Sequence, residues 1–493
     1  MTSSTVLVAG GGPAGSMAAA LLAQSGCEVE VFERACFPRY HIGESIVPAC
    51  LPLLELVGLR DVIDAYGFQP KEGVYFRWGD KAWDYRFGSL TGAYTYAWQV
   101  ERAEFDDLLL RNAARLGARV REGRRVTEII FDGGGRPCAA EWEEPSTGAR
   151  GRHEFDYLVD ASGRAGVLAN RYLGGRRFHE SFKNVALWAY WKGGRRVPDA
   201  PRGATLVSSV PEGWVWIIPL RRALSVGVVM HRRRFQKLRA DHDLAGIYHL
   251  ALAAAELVPH VLDGASLTGV LRLEQDYSYA AEQFAGPGYF LAGDAACFLD
   301  PLLSTGVHLA MFSALLAAAC ISSLTRGEAD EAQAQCFYEE SYRRAYLRFL
   351  VVVSAVYKQH LSTESYFWEA QRLTVRDADP RQVFDAFLNV VSGIEDLGDV
   401  QGQDLTDRVV QRISDLYYDV HKTLQDRLKQ PGLTDDDREQ IRATAGYWKA
   451  TVGAHTIDWS HPVRGLYVTT HPQLGLASAG VGQPADVLAR RGA

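Results

Sequence analysis

Two groups of residues in this 493-residue chain have a type and spacing suited to chemistry. The first is Gly10-x-Gly12-Pro13-Ala14-Gly15, which follows the apolar run Thr5–Ala9 and leads into a second apolar stretch at residues 18–22. In such a pattern the first glycine permits a tight turn and the second lets the backbone approach a pyrophosphate. The third lets a helix pack close to its strand, and the helix N-terminus then offers free N–H groups and a positive dipole end to phosphates. A second strand is expected at residues 27–32 and ends at Glu33, followed by Arg34. Glu33 lies eighteen residues past Gly15, near the spacing of an acid that binds a ribose hydroxyl. The glycine pattern alone is weak, but strand, helix, second strand and acid in this order specify a dinucleotide site. The pattern recurs nowhere else with a strand and helix around it, so one such site is expected.

The second group is Trp214-Val215-Trp216-Ile217-Ile218-Pro219. Its β-branched residues favour a strand, and a strand alternates its faces, so Trp214 and Trp216 point the same way. Two rigid rings on one face can wall off a pocket, although taken alone such a pair is ordinary core packing. Three further features accompany these groups. Gly293-Asp294 closes the apolar run 289–293 and sets a carboxylate after a glycine turn, where it can accept hydrogen bonds from a hydroxylated chain. Phe298-Leu299-Asp300-Pro301-Leu302-Leu303-Ser304-Thr305-Gly306 breaks the chain just before a helix, a junction whose backbone N–H groups can hold an anion. Lys71, in PKEGVYFRWG, lies seven residues before Trp78.

The elements that must position these residues alternate between strand and helix over the first 170 residues. Residues 120–131 read as strands around a turn, 132–135 as a glycine-rich hairpin connection, and 155–161 as a buried strand. Strands at 185–191, 204–209, 214–219 and 224–230 make residues 175–280 β-rich, with one helical stretch at 244–257. From residue 304 the spacing is helical, over 315–323, 331–356 and 381–394, and residues 401–433 have amphipathic helix character. The expected division is a discontinuous nucleotide-binding unit (1–174 and 281–335), an inserted sheet (175–280) and a mainly helical C-terminal region (336–493).

Bulk properties narrow the function. The length suits two or three domains. A net charge of −6 and a pI near 6.1 give no electrostatic case for nucleic acid or an anionic membrane. Seven dispersed cysteines without C-x-x-C spacing suggest free thiols in a reducing compartment, and the first strand starts too near Met1 for a signal peptide. The apolar run 307–321 is read as too short to span a bilayer, and it contains His308. A cytoplasmic protein is expected.

Taken together, the motifs resemble those of flavin-dependent halogenases, over most of residues 1–375. Gly10, Gly12, Gly15, Glu33, Arg102 in QVERAEFD, and Gly293-Asp294 match the FAD side and are shared with flavin hydroxylases. Trp214 to Pro219 fits the halogenase W-x-W-x-I-P, Phe298 to Gly306 fits F-x-x-P-x-x-S-x-G, and Lys71 stands where the family's catalytic lysine stands. The resemblance implies an α/β, Rossmann-like flavin monooxygenase fold with an inserted sheet. It also implies FAD used in its reduced form, with O2 and chloride or bromide as co-substrates. A separate flavin reductase is implied, and no metal. The implied cofactor set is Gly10, Gly12, Pro13, Ala14, Gly15, Glu33, Arg34, Ser45, Arg102, Gly293, Asp294, Pro301 and Gly306. Ser304, Thr305 and Gly306 would hold the halide, Trp214, Trp216 and Pro219 would separate flavin from the organic substrate, and Lys71 would meet the oxidant. In the family mechanism the halide is oxidised to hypohalous acid at a flavin hydroperoxide. The oxidant then halogenates an electron-rich ring at a distance, in natural-product (including antibiotic) biosynthesis. The tryptophan-halogenating branch has a Glu just before the Ser-Thr-Gly or Ser-Ser-Gly, where this chain has Leu303. FPRYHIGES (37–45) and the aromatic trio Tyr366-Phe367-Trp368 look closer to the branch acting on phenols, including rings tethered to an acyl or peptidyl carrier protein. The alternative is a flavin-dependent aromatic hydroxylase, which would need its substrate against the flavin.

Overall fold

The computed structural model describes residues 4–78, 81–87, 95–211, 213–361, 463–470 and 472–478. Among these, a six-stranded sheet runs in the order Ala285–Gly286, Tyr289–Leu291, Tyr157–Asp160, Thr5–Ala9, Glu28–Glu33, Arg119–Glu122. Four of its five neighbouring pairs are parallel, and the Ala285–Gly286 edge is antiparallel. Thr5–Ala9 is almost wholly buried, as a strand covered on both faces must be. On one face the helices Pro13–Gln24 and Gly306–Thr325 pack together through small residues. Ala18, Ala19, Ala317 and Ala318 are fully buried there, which lets two backbones approach closely.

An eight-stranded sheet lies beside it, in the order Cys297–Phe298, Ser266–Ala281, Arg176–Lys192, Leu224–His231, Gly213–Pro219, Thr205–Val210, Gly73–Trp78, Lys81–Arg86. One face joins the main core with Val207, Trp188, Trp214, Trp216 and Ile218. The other carries Leu187, Leu206, Val215, Ile217 and Val228 against the helix Leu244–Ala254. The strict alternation of a strand divides one sequence between two cores in this way.

The strands expected at 185–191, 204–209, 214–219 and 224–230 all form. Three features depart from the expected division. The large sheet is not confined to 175–280, because residues 73–86 supply two of its strands. The 16-residue strand Ser266–Ala281 escapes the sequence reading because its apolar residues are interspersed with exposed polar ones. The helix Glu331–Leu361 runs straight through the expected boundary at 335/336. Beyond it, the hairpin Leu466–Thr469/Gly475–Ser478 docks on the helix Gly306–Thr325, where Leu476 N–H donates to Ser323 Oγ at 2.8 Å. The expected helices at 381–394 and 401–433, and the trio Tyr366-Phe367-Trp368, lie outside the described residues. The reading of 307–321 also needs a corrected reason. The helix Gly306–Thr325 is long and apolar enough to cross a membrane, but 94% of its apolar window is buried inside the protein.

Candidate active site

The nucleotide cradle is built from glycines that nothing else could replace. Gly10 has φ +109°, and a Cβ there would fall 2.3 Å from the carbonyl oxygen of Ala161; a Cβ on Gly15 would fall 1.8 Å from that of Gly10. Gly12 caps the helix Pro13–Gln24 without any side-chain hydrogen bond; Pro13 has no N–H to satisfy, and the N–H groups of Ala14 and Gly15 stay available to phosphate oxygens. Glu33 ends the second strand, buried, with Oε2 accepting the Gly11 N–H at 2.7 Å and Oε1 that of Ala35 at 2.8 Å. Arg34 is exposed beside it. Across the cradle, Gly293 adopts φ +59° and a Cβ there would sit 3.2 Å from Ala14 Cβ, which brings the Gly293-Asp294 turn against the start of the first helix. These features fit an FAD: a glycine turn, an open helix N-terminus, an acid at the second strand end and a carboxylate at a second turn. When bound, FAD would supply the redox chemistry.

Two residues assigned by sequence to the cofactor also make contacts within the protein. The Arg102 guanidinium is buried and forked onto Asp106, with Nε to Oδ1 at 2.7 Å and Nη2 to Oδ2 at 2.9 Å. Its Nη1 donates to the carbonyls of Ile42 and Gly43. Arg102 therefore clamps the FPRYHIGES loop, and Asp106, which the sequence reading passed over, also receives Arg39 at 3.0 Å. Ser45 turns its hydroxyl to Lys71 and to Thr205.

Lys71 ends the short strand Gln69–Lys71, paired to Ala97–Gln99, and its side chain is fully buried. Nζ donates to Ser45 Oγ at 2.8 Å and to the Ile46 carbonyl at 3.1 Å, and it lies 5.4 Å from the centroid of the Phe87 ring. Burial lowers its pKa to about 7, with the nearby Cys50 opposing slightly. An amine so placed is partly uncharged at neutral pH and can act as a nucleophile or hydrogen-bond donor. Its neighbour on the other side of Ser45 is Thr205 Oγ1, 2.9 Å away, which also receives Gln99 Nε2.

Thr205 belongs to the face that carries the tryptophans. The ladder register lines up Trp188, Gly227, Trp216, Val207 and Phe76 across five strands. The next row on the same face contains Tyr190, Ser225 and Ile218 on three of them, with Thr205 and Val74 on the other two. Trp214 and Trp216 do share a face, with ring centroids 6.0 Å apart, and Trp188 stands 6.5 Å from Trp216. The Trp216 indole lies across Gly227, where a Cβ would meet Cζ2 at 2.1 Å. Pro219 ends that strand opposite Leu224. The 43–45 loop crosses the second row: Ser45 meets Thr205, and Glu44 meets Tyr190, whose hydroxyl donates to Glu44 Oε1 at 2.6 Å. Burial pushes the Glu44 carboxyl up to about 7, against the opposing influence of Tyr190, Ser225 and Arg102. Nothing in the local sequence marks Glu44, because its setting is made by strands well over a hundred residues away.

The junction near residue 304 has the expected break. Asp300 Oδ1 accepts the Leu302 N–H at 3.0 Å and Oδ2 accepts Asn184 Nδ2 at 3.0 Å, which pins the turn Pro301–Leu303. Ser304 takes the left-handed conformation, φ 59°, and Thr305 begins the helix Gly306–Thr325. A Cβ on Gly306 would meet nothing within 4 Å, so its backbone faces open space. Leu303 is buried and apolar, and brings no carboxylate to this turn.

Glycine cradle, parallel sheet, a second, mixed sheet and a buried lysine beside its tryptophan face fit the class of FAD-binding oxidoreductases. The family model for tryptophan halogenases matches residues 5–94 and 86–397, and the chain belongs to this family of flavin-dependent halogenases. It is similar to a tryptophan 2-halogenase of Chondromyces crocatus, 44% identical over 96% of this chain and 94% of that protein. It is 36% identical to a sulochrin halogenase of Aspergillus terreus, over 89% of this chain and 84% of that protein. The myxobacterial chondrochloren halogenase, a FAD-dependent enzyme, superposes with a TM-score of 0.69 at 36% identity, covering 79% of this chain and 90% of its own. The chain is thus a flavin-dependent halogenase, and the hydroxylase alternative falls away.

Proposed function

We propose that this halogenase oxidises chloride or bromide with O2 and places the halogen on a phenolic ring, with Lys71 as the residue that meets the oxidant. The observation that carries the phenol reading is Leu303: buried and apolar at the position where the tryptophan branch carries a glutamate. A phenol hydroxyl raises electron density at its ortho positions, so the ring needs less help from a positioned carboxylate. The backbone N–H groups of Thr305 and Gly306, at a helix start that faces open space, would hold the halide. Lys71 would receive the oxidant by hydrogen bond, or as an N–halogen bond formed with loss of water and returned to the amine when the ring takes the halogen. The tryptophan face would keep the organic substrate from the flavin. A second reading, free tryptophan as substrate, is favoured by the name of the 44%-identical relative.

We further propose that the ring arrives tethered to an acyl or peptidyl carrier protein, that a separate reductase supplies reduced flavin, and that the protein works in the cytoplasm, where its seven unpaired cysteines suit a reducing setting. The test is a competition, with FAD, a flavin reductase and chloride, among free phenolic acids, the same acids on a carrier, and tryptophan. Preferred halogenation of the carrier-bound phenol is expected. Efficient turnover of free tryptophan would overturn the phenol reading, and turnover of the free acid alone would overturn the tether. Without the reductase, NADPH consumption should stay at background; rapid substrate-stimulated consumption would show that the separate partner is not needed.

A further inference from the structure

Halogenation consumes a proton. Reduced flavin, O2, a halide anion and an aromatic C–H become oxidised flavin, an aryl halide and two waters only if one proton enters from outside. Because the chain is a flavin-dependent halogenase, it must take up that proton in each turnover; Trp188, Trp214 and Trp216, the face proposed above to part substrate from flavin, are buried.

One chain of hydroxyls runs from the protein surface to the tryptophan-bearing face. Trp188 Nε1 donates to Tyr40 Oη at 2.8 Å, Tyr40 and Tyr190 hydroxyls are 2.9 Å apart, and Tyr190 donates to Glu44 Oε1 at 2.6 Å. Tyr190 has a single proton and spends it on Glu44, so Tyr40 must be the donor in the middle bond. The direction of the whole chain is thereby fixed, from Tyr40 inward to Glu44. Its two ends differ in the way a relay requires. Tyr40 is 44% exposed and Glu44 is 3% exposed. Glu44 Oε2, the oxygen not held by Tyr190, is buried and has no partner at hydrogen-bond distance among the described residues. The Ser225 hydroxyl, already accepting Trp216 Nε1 at 3.3 Å, is the neighbouring group that can turn to it.

We propose that Glu44 holds a proton behind the tryptophan face, gives it up from Oε2 during halogenation, and is reloaded from solvent through the phenols of Tyr190 and Tyr40. When Oε2 loses its proton to the oxygen that leaves as water, Tyr190 passes its own to Oε1, Tyr40 passes its proton to Tyr190, and water restores Tyr40; the carboxyl then carries its proton on Oε1, and rotation of the carboxyl and the two phenols restores the starting arrangement. The groups facing this chain are Arg102 and Glu101 from the helix side, Ser225 from the adjacent strand and Arg272, whose guanidinium lies 3.9 Å from the centroid of the Tyr40 ring. Burial overrides the single favourable cation, Arg102, so the carboxyl keeps its proton to about pH 7, and Tyr190 stays protonated because its own burial and the adjacent Glu44 both raise its pKa.

The test reads the carboxyl directly. Infrared spectra of the full chain, without flavin, should show the carbonyl stretch of a protonated buried acid that titrates near pH 7 and is absent in Glu44→Gln. Tyr190→Phe should move that midpoint upward, since it removes a hydrogen bond to the ionised form, and Tyr40→Phe should slow exchange of the acid's proton with D2O. In halogenation assays Glu44→Gln should lose about a hundredfold in kcat, the lower range for a lost proton carrier, with little change in KM for the ring. Should Glu44→Gln fold poorly, Tyr190→Phe keeps the carboxyl and is expected to lose rate on both sides of pH 7, because it cuts the reloading path while leaving the acid protonated to higher pH. A spectrum identical in Glu44→Gln and wild type, or exchange in Tyr40→Phe as fast as in wild type, would overturn the relay.

Discussion

Lys71 Nζ and Ser45 Oγ lie 2.8 Å apart, although the two residues come from a strand and a loop separated by a helical pair. The same hydroxyl touches Thr205, so one serine ties the buried amine to the tryptophan-bearing sheet. The amine is held where the tryptophan-bearing side of that sheet meets the 43–45 loop, and burial lowers its pKa to about 7.

Lys71→Met, which keeps most of the volume, should abolish halogenation while FAD binding, read by flavin fluorescence, and flavin oxidation by O2 persist. Lys71→Ala should do the same at the added cost of a cavity, about 2–5 kcal/mol for a large buried side chain. More than a few per cent residual halogenation in Lys71→Met would remove Lys71 from the reaction.

Lys71 also predicts a pH dependence of stability. Its pKa falls from 10.5 in the unfolded chain to about 7 when buried, so between those values the folded protein binds fewer protons than the unfolded chain. Burying the charged ammonium costs stability below pH 7, and that loss is recovered as pH rises to 10.5, by several kcal/mol at about 1.4 kcal/mol per unit. The stability of wild type relative to Lys71→Met, by chemical denaturation, should therefore climb across this window. A flat difference would mean the lysine is not desolvated.

Gly227→Ala should disturb the tryptophan face, because its Cβ would enter the Trp216 ring. We expect a loss of about 1–3 kcal/mol, as for other overpacked cores, and a changed near-ultraviolet tryptophan signal. An unchanged signal and Tm would show that the ring has room to move.

Gly15→Ala should cost FAD retention. The added Cβ would be 1.8 Å from the Gly10 carbonyl oxygen, so the helix Pro13–Gln24 must shift away from its strand and take the phosphate-facing N–H groups with it. Flavin fluorescence after gel filtration measures this; wild-type retention would refute the cradle geometry.

The sequence by itself determined whatever depends on local spacing. The glycine cradle is legible because φ > 0 at Gly10 and close packing at Gly15 are demands only glycine meets, and these sit within six residues of each other. The shared face of Trp214 and Trp216 follows from the two-residue period of any strand. The turn at Ser304 follows from the Pro-to-Gly break before a long apolar helix. Only the tertiary structure decided the rest. It made Lys71 a buried amine, set Ser45 between that amine and Thr205, gave Arg102 to the support of the loop at 42–43, recruited two strands from residues 73–86 into the large sheet, and brought Glu44 against Tyr190 and Ser225. Each of these is a pairing across sequence separations that range from some twenty-five residues to well over a hundred. Whether a lysine or glutamate ends in solvent or in a core is set by which distant strands close over it, and no local periodicity records that choice.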